Sequence, residues 1–101
     1  IGVVATDAKL SKAQCKAFAT VAHDGITRAV FPSHTTFDGD LIFSVSTGEK
    51  ELEENFNDLL YINQAAALCV SRSIARGVYH ASNSPIDTFP SYKNKFKIKD
   101  L

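Results

Sequence analysis

Two short apolar runs, each followed by a helical pattern, limit what this chain can build. Ile1-Gly2-Val3-Val4-Ala5-Thr6 and Leu41-Ile42-Phe43-Ser44-Val45-Ser46-Thr47 are rich in residues that suit extended backbone. The first reads as a strand buried on both faces, closed by Asp7-Ala8-Lys9-Leu10. The second reads as a buried strand bounded by Gly48. The order is therefore strand, helix, loop, strand, helix, tail. That order fits an α+β fold with helices on one face of a sheet. Two strands alone make a marginal sheet, so the missing strands are expected from a partner chain.

The first helix carries a start signal. Ser11-Lys12-Ala13-Gln14 reads as a capping box, in which the Ser11 hydroxyl accepts a free amide and Gln14 reaches back. Helical spacing then puts Leu10, Ala13, Ala17, Phe18, Val21, Ala22 and Ile26 on one side. Lys12, Lys16 and Thr20 fall largely on the other. The small residues Ala13, Ala17 and Ala22 allow close approach to a sheet. His23-Asp24-Gly25 interrupts the pattern, and His23 reads as a polar residue near a helix end. Pro32 disfavours helix before it, so Phe31-Pro32-Ser33-His34-Thr35-Thr36 is a loop.

Beyond the second strand, Gly48 to Asn55 is polar and acidic and reads as a solvated connection. A long helical pattern follows from about Asn57 to Ala81, with Leu59, Ile62, Ala66, Cys69, Val70, Ser73, Ile74, Gly77 and Val78 recurring at three and four. Asp58 suits the positive end of its dipole. Arg72 and Arg76 share a face as a solvated or partner-facing stripe. Ser82-Asn83-Ser84-Pro85 stops the helix. In the tail, Lys93-Asn94-Lys95-Phe96-Lys97-Ile98-Lys99 alternates, which fits an edge strand with a charged outer face or a segment docked on another subunit.

Composition sets outer bounds. With 101 residues and a 45% hydrophobic fraction, the chain is a single segment, residues 1–101, that either forms one domain or belongs to a larger protein. Basic and acidic residues balance at 11 each, without the clustered surplus a nucleic-acid footprint needs. No apolar run approaches the roughly 18 residues of a membrane span. Cys15 and Cys69 are the only cysteines; they fall in helical apolar patterns, where free Cys acts as a small core residue. An apolar strand that begins at Ile1 without a lead-in suggests a chain made by cleavage, or one that has lost a few residues. The expected location is the cytoplasm, with the periplasm as the alternative.

The candidate chemistry sits in front of the second strand, at Phe37-Asp38-Gly39-Asp40. The plain reading is an Asp-Gly turn with both carboxylates solvated. The functional reading is a carboxylate pair that orients or deprotonates a nucleophile, or holds a cation. His34, Asp38 and Asp40 fall short of a closed ligand shell, so neither a metal nor a cofactor is expected.

Four segments agree, in order and spacing, with one known family. Ile1-Gly2-Val3-Val4-Ala5-Thr6-Asp7-Ala8, Ala22-His23-Asp24-Gly25-Ile26-Thr27-Arg28-Ala29, Phe37-Asp38-Gly39-Asp40-Leu41-Ile42-Phe43 and Ser46-Thr47-Gly48 resemble the small β chain of the L-aminopeptidase/D-esterase family. That family includes β-aminopeptidases and a nylon-oligomer hydrolase. The resemblance covers about residues 1–81 and leaves 82–101 as a C-terminal tail. It implies a four-layer αββα sandwich, completed by an α chain cut from the same precursor, and a higher αβ oligomer. It also implies an N-terminal-nucleophile hydrolase acting on a small peptide, amide or ester. The nucleophile, a Ser or Thr hydroxyl at the β-chain terminus, would lie just before Ile1. Asp38 and Asp40 match the acidic pair of the nylon-oligomer hydrolase; β-aminopeptidases hold a Ser and a Glu there. A non-catalytic sheet-completing subunit and an acyl transferase of the ornithine acetyltransferase type are the alternatives.

Overall fold

A computed structural model describes Ile1 to Lys99; Asp100 and Leu101, the end of the expected tail, lie outside the described residues. The elements run β1 (Gly2–Ala8), α1 (Lys12–Ala29), β2 (Ile42–Lys50), α2 (Asn55–His80) and α3 (Tyr92–Phe96). β1 and β2 form a parallel two-stranded sheet with Gly2 opposite Ile42 and Thr6 opposite Ser46. Parallel neighbours need a long crossover, and α1 with its following loop supplies it.

α1 starts where the capping box says it should. Gln14 N–H donates to Ser11 Oγ at 3.2 Å, and Ser11 N–H donates to Gln14 Oε1 at 2.8 Å. At the start of α2 the Asp58 carboxylate accepts the backbone N–H groups of Glu53 and Glu54, both at 2.9 Å. Two amides just ahead of the helix are thereby satisfied, and a negative charge meets the positive end of the helix dipole.

The core gathers on the sheet face that carries Val4 and Ile42, against Phe18, Ala22 and Ile26 of α1 and Ala66 of α2. Within the helix the buried stripe is Phe18, Ala22, Gly25 and Ile26. Ala13 and Ala17, expected on that stripe, are exposed. The close approach comes instead at Gly25, whose missing side chain lets the Ala67 carbonyl and Val70 of α2 press onto α1.

Three expectations need correction. β1 is not buried on both faces within this chain, and β2 is only half-buried: Val3, Phe43 and Val45 on the other face are 63%, 52% and 46% exposed. Nor does Gly48 end β2. It takes a φ of 73° inside the strand, next to a register irregularity where β2 runs from Ser46 to Lys50 while β1 runs from Thr6 to Ala8. A left-handed glycine is a usual device for such a bulge. Finally, the lysine-rich tail is not an edge strand. Ser91 Oγ accepts Asn94 N–H at 3.4 Å and starts α3, and Lys97 closes it in a left-handed conformation. A local cap outweighs an alternation that has no neighbouring strand to pair with.

Candidate active site

Parallel pairing makes the start of β1 and the start of β2 neighbours. Gly2 N–H donates to Leu41 O at 2.8 Å. Asp40 precedes Leu41, and Asp40 and Ile1 line one cavity of about 680 Å³. The cavity follows β1 and is walled by apolar residues, among them Phe18, Ile26, Val70 and Ile74. Its volume falls in the range of small-molecule sites, about 300–1,000 Å³. Among the described residues, Asp40 is the one charged side chain in that lining.

Asp38 is arranged differently. Its amide N–H donates to Thr35 O at 3.0 Å, so the tight turn spans Thr35 to Asp38, earlier than the expected Asp-Gly turn. Gly39 does not use the left-handed backbone, and a Cβ there would meet nothing within 4 Å. The Asp38 carboxylate faces His34, with Oδ2 3.5 Å from Nδ1, and Asp38 does not line the cavity. The two acids are thus separated: Asp40 lines the cavity, and Asp38 faces His34 on the loop. His34, Asp38 and Asp40 do not come together as a metal-binding group, and among the described residues no cluster of three or more His, Cys, Asp or Glu does so. Cys15 and Cys69 are free thiols.

His23 is the residue that sequence reasoning undervalued. It lies inside α1 rather than at its end, half-buried, with both ring nitrogens engaged. Nδ1 is 2.7 Å from Ala19 O, and Nε2 is 3.3 Å from Ile42 N. A carbonyl needs a donor and an amide needs an acceptor, so the ring is the neutral Nδ1–H tautomer in this arrangement. The His23 and His34 ring centroids are 6.2 Å apart. The sequence holds two hints: residue 23 follows Ala22 and precedes Gly25 at the border of the buried stripe, and it falls in the segment 22–29 that resembles the family.

Charge elsewhere is peripheral. At the far end of the sheet Lys50 Nζ lies 2.9 Å from Asp7 Oδ2, and Lys9 Nζ lies 2.6 Å from Glu51 Oε1. The hydrogen bond from Lys50 lowers the Asp7 carboxyl below its usual value, and the bonds to Asp7 and Glu51 raise Lys50 and Lys9. These exposed pairs take no part in the cavity.

Residues 1–88 match the model of peptidase family S58, and the chain belongs to that family, the L-aminopeptidase/D-esterase family. The match extends past the expected limit at residue 81 into the tail. An uncharacterized aminopeptidase of Mycobacterium tuberculosis is 36% identical over 106 aligned residues, covering 95% of this chain and 30% of that protein. An uncharacterized aminopeptidase of Mycobacterium leprae is 34% identical over 106 aligned residues, covering 95% of this chain and 29% of that protein. A 6-aminohexanoate-oligomer endohydrolase of Paenarthrobacter ureafaciens is 35% identical over 52 residues, covering 52% of this chain and 15% of the endohydrolase. The chain spans about 30% of the length of the aminopeptidases it matches. Among the described residues no helix is long and apolar enough to cross a membrane.

Proposed function

We propose that this chain is the small subunit of a self-processed amide or ester hydrolase, an aminopeptidase or amidase. In this reading a Ser or Thr hydroxyl just ahead of Ile1 attacks the substrate carbonyl. The observation that carries it is that Ile1 and Asp40 line one apolar cavity. Gly2 is opposite Ile42; continuing that register backwards brings the position before Ile1 level with Asp40.

The chemistry needs that neighbourhood. A hydroxyl is a weak nucleophile at neutral pH and needs a base or an orienting acceptor. The chain-terminal amine takes the hydroxyl proton as the C–O bond forms, and returns it to the leaving amine or alcohol as the carbonyl bond breaks. Water then hydrolyses the acyl ester and restores the hydroxyl. A carboxylate beside them holds the ammonium and hydroxyl in line for both transfers. Asp40 fills that role, and Asp38, turned to His34 here, is the second member of the pair.

The same reading includes an α chain from the same precursor. Val3, Phe43 and Val45 offer an apolar face on which a second sheet would rest, giving the αββα sandwich, and larger αβ assemblies would follow. The substrate is a small peptide or amide. Asp40→Asn in the complete precursor tests the reading, since it keeps size and removes charge. Hydrolysis of amino-acid amides and the extent of self-cleavage are expected to fall on the order of a hundredfold, as for loss of a positioned acid–base group, while the melting curve is retained. Full activity and full processing in Asp40→Asn would falsify the assignment. Intact mass of the native small chain is expected to exceed that of this sequence by residues that include a terminal Ser or Thr.

A further inference from the structure

His23 ties helix α1 to the first residue of β2, and that residue follows the proposed catalytic acid by two positions. Gly2 N–H uses the Leu41 carbonyl, and the next amide along, Ile42 N–H, donates to His23 Nε2 at 3.3 Å. Ile42 is 4% exposed, so this amide has little water to fall back on. The ring's other nitrogen is anchored on Ala19 O at 2.7 Å, which fixes both the tautomer and the orientation that present a lone pair to Ile42. A second tie lies further back in the same loop, where Ser33 Oγ donates to Thr27 Oγ1 at 3.2 Å. The segment bearing Asp40 is therefore held to α1 at both ends, and His23 is the end nearer the acid.

We propose that His23 is a positioning residue for Asp40. By accepting Ile42 N–H, it fixes the Asp40–Leu41–Ile42 backbone level with the start of β1. This rests on the hydrolase reading above, in which Asp40 must stay beside the position before Ile1. A group displaced by about 1 Å can cost on the order of a hundredfold in rate, so the His23 tether, added to the bond from Gly2 N–H to Leu41 O, matters to turnover more than to folding.

Two substitutions in the complete protein separate the ring's two contacts. His23→Asn keeps a donor at the depth of Nδ1 but is too short to reach Ile42. His23→Gln carries an acceptor at the depth of Nε2. Hydrogen–deuterium exchange of the peptide spanning residues 37–43 is read beside kcat and KM; if a precursor stays uncut, its rate of self-cleavage replaces kcat. Expected is faster exchange in His23→Asn and a fall in kcat of about tenfold to a hundredfold with KM unchanged, both restored in His23→Gln. Unchanged exchange in His23→Asn overturns the proposal, as does loosened exchange with wild-type kcat. If both variants lose their melting transition together, His23 is a folding residue and the proposal also fails. Full activity in Asp40→Asn would remove the hydrolase reading and the catalytic half of this inference with it, whereas unchanged exchange in His23→Asn removes this inference alone.

Discussion

Replacing Gly25 by Ala tests the packing that sets the whole site, because the two forces involved have opposite signs. An added Cβ would meet the Ala67 carbonyl oxygen, Val70 Cβ at 2.7 Å and Val70 Cγ1 at 3.0 Å. Carbon atoms pack at about 3.5–4.0 Å, so α1 and α2 must part by roughly 1 Å. The Ala67 oxygen is backbone and cannot rotate aside. Overpacking of this kind costs about 1–3 kcal/mol. Against it, alanine is favoured over glycine in a helix interior by about 1 kcal/mol. Since Ala22 and Ile26 are buried beside the contact, the steric cost should fall in the upper half of its range, leaving a net loss of about 1–2 kcal/mol. Gly77→Ala is the control: it lies in α2, and a Cβ there meets nothing within 4 Å. It should gain about 0.5–1 kcal/mol. Urea denaturation of the complete protein carrying each change gives both numbers. A Gly25→Ala protein as stable as the parent would refute the reasoning, since it would mean the helices do not meet at that glycine.

Further outcomes follow from single contacts. Ser46 Oγ donates to Ala8 O at 2.7 Å and accepts Leu10 N–H at 3.1 Å, so Ser46→Ala should destabilise by about 1–3 kcal/mol, measured by the same denaturation. Asp58→Ala removes the acceptor of two amides at the start of α2 and should cost about 0.5–2 kcal/mol, with faster amide exchange confined to residues 53–58. The Asp7–Lys50 pair is expected to matter little, because both groups are exposed and solvent screens them. Its sign is still fixed. The Asp7 carboxyl is lowered on folding, so any contribution is present above the ordinary carboxylate range and fades as pH falls through the lowered value. An Asp7→Asn melting temperature equal to the parent's at neutral pH is the expected result.

The parts legible in the sequence are those decided by neighbours along the chain. Ser11 and Gln14 are three apart, and their reciprocal bonds need nothing from elsewhere. The β-branched runs fix two strands, and the spacing of Phe18, Ala22 and Ile26 fixes the buried side of α1. Where the deciding partner is distant or ambiguous, the reading fails. Gly48 serves equally as a strand end or a bulge, and only the register with β1 chooses. Alternating lysines around Phe96 look extended until the Ser91 cap is weighed against a missing neighbour strand. For the site, adjacency in sequence is a poor guide: Asp38 and Asp40 are one residue apart, yet one faces His34 and the other the cavity. His23 is hidden for the same reason, since its partner Ile42 is 19 positions away.

One side of the β1–β2 ribbon is covered by helices and the other shows Val3, Phe43 and Val45 to solvent. A lone copy made in a cell would therefore be sticky, prone to clump through that side and through its open strand edges. Phe43→Lys should make the isolated polypeptide easier to keep dissolved and, under the proposed αβ reading, weaken its seating against a second sheet.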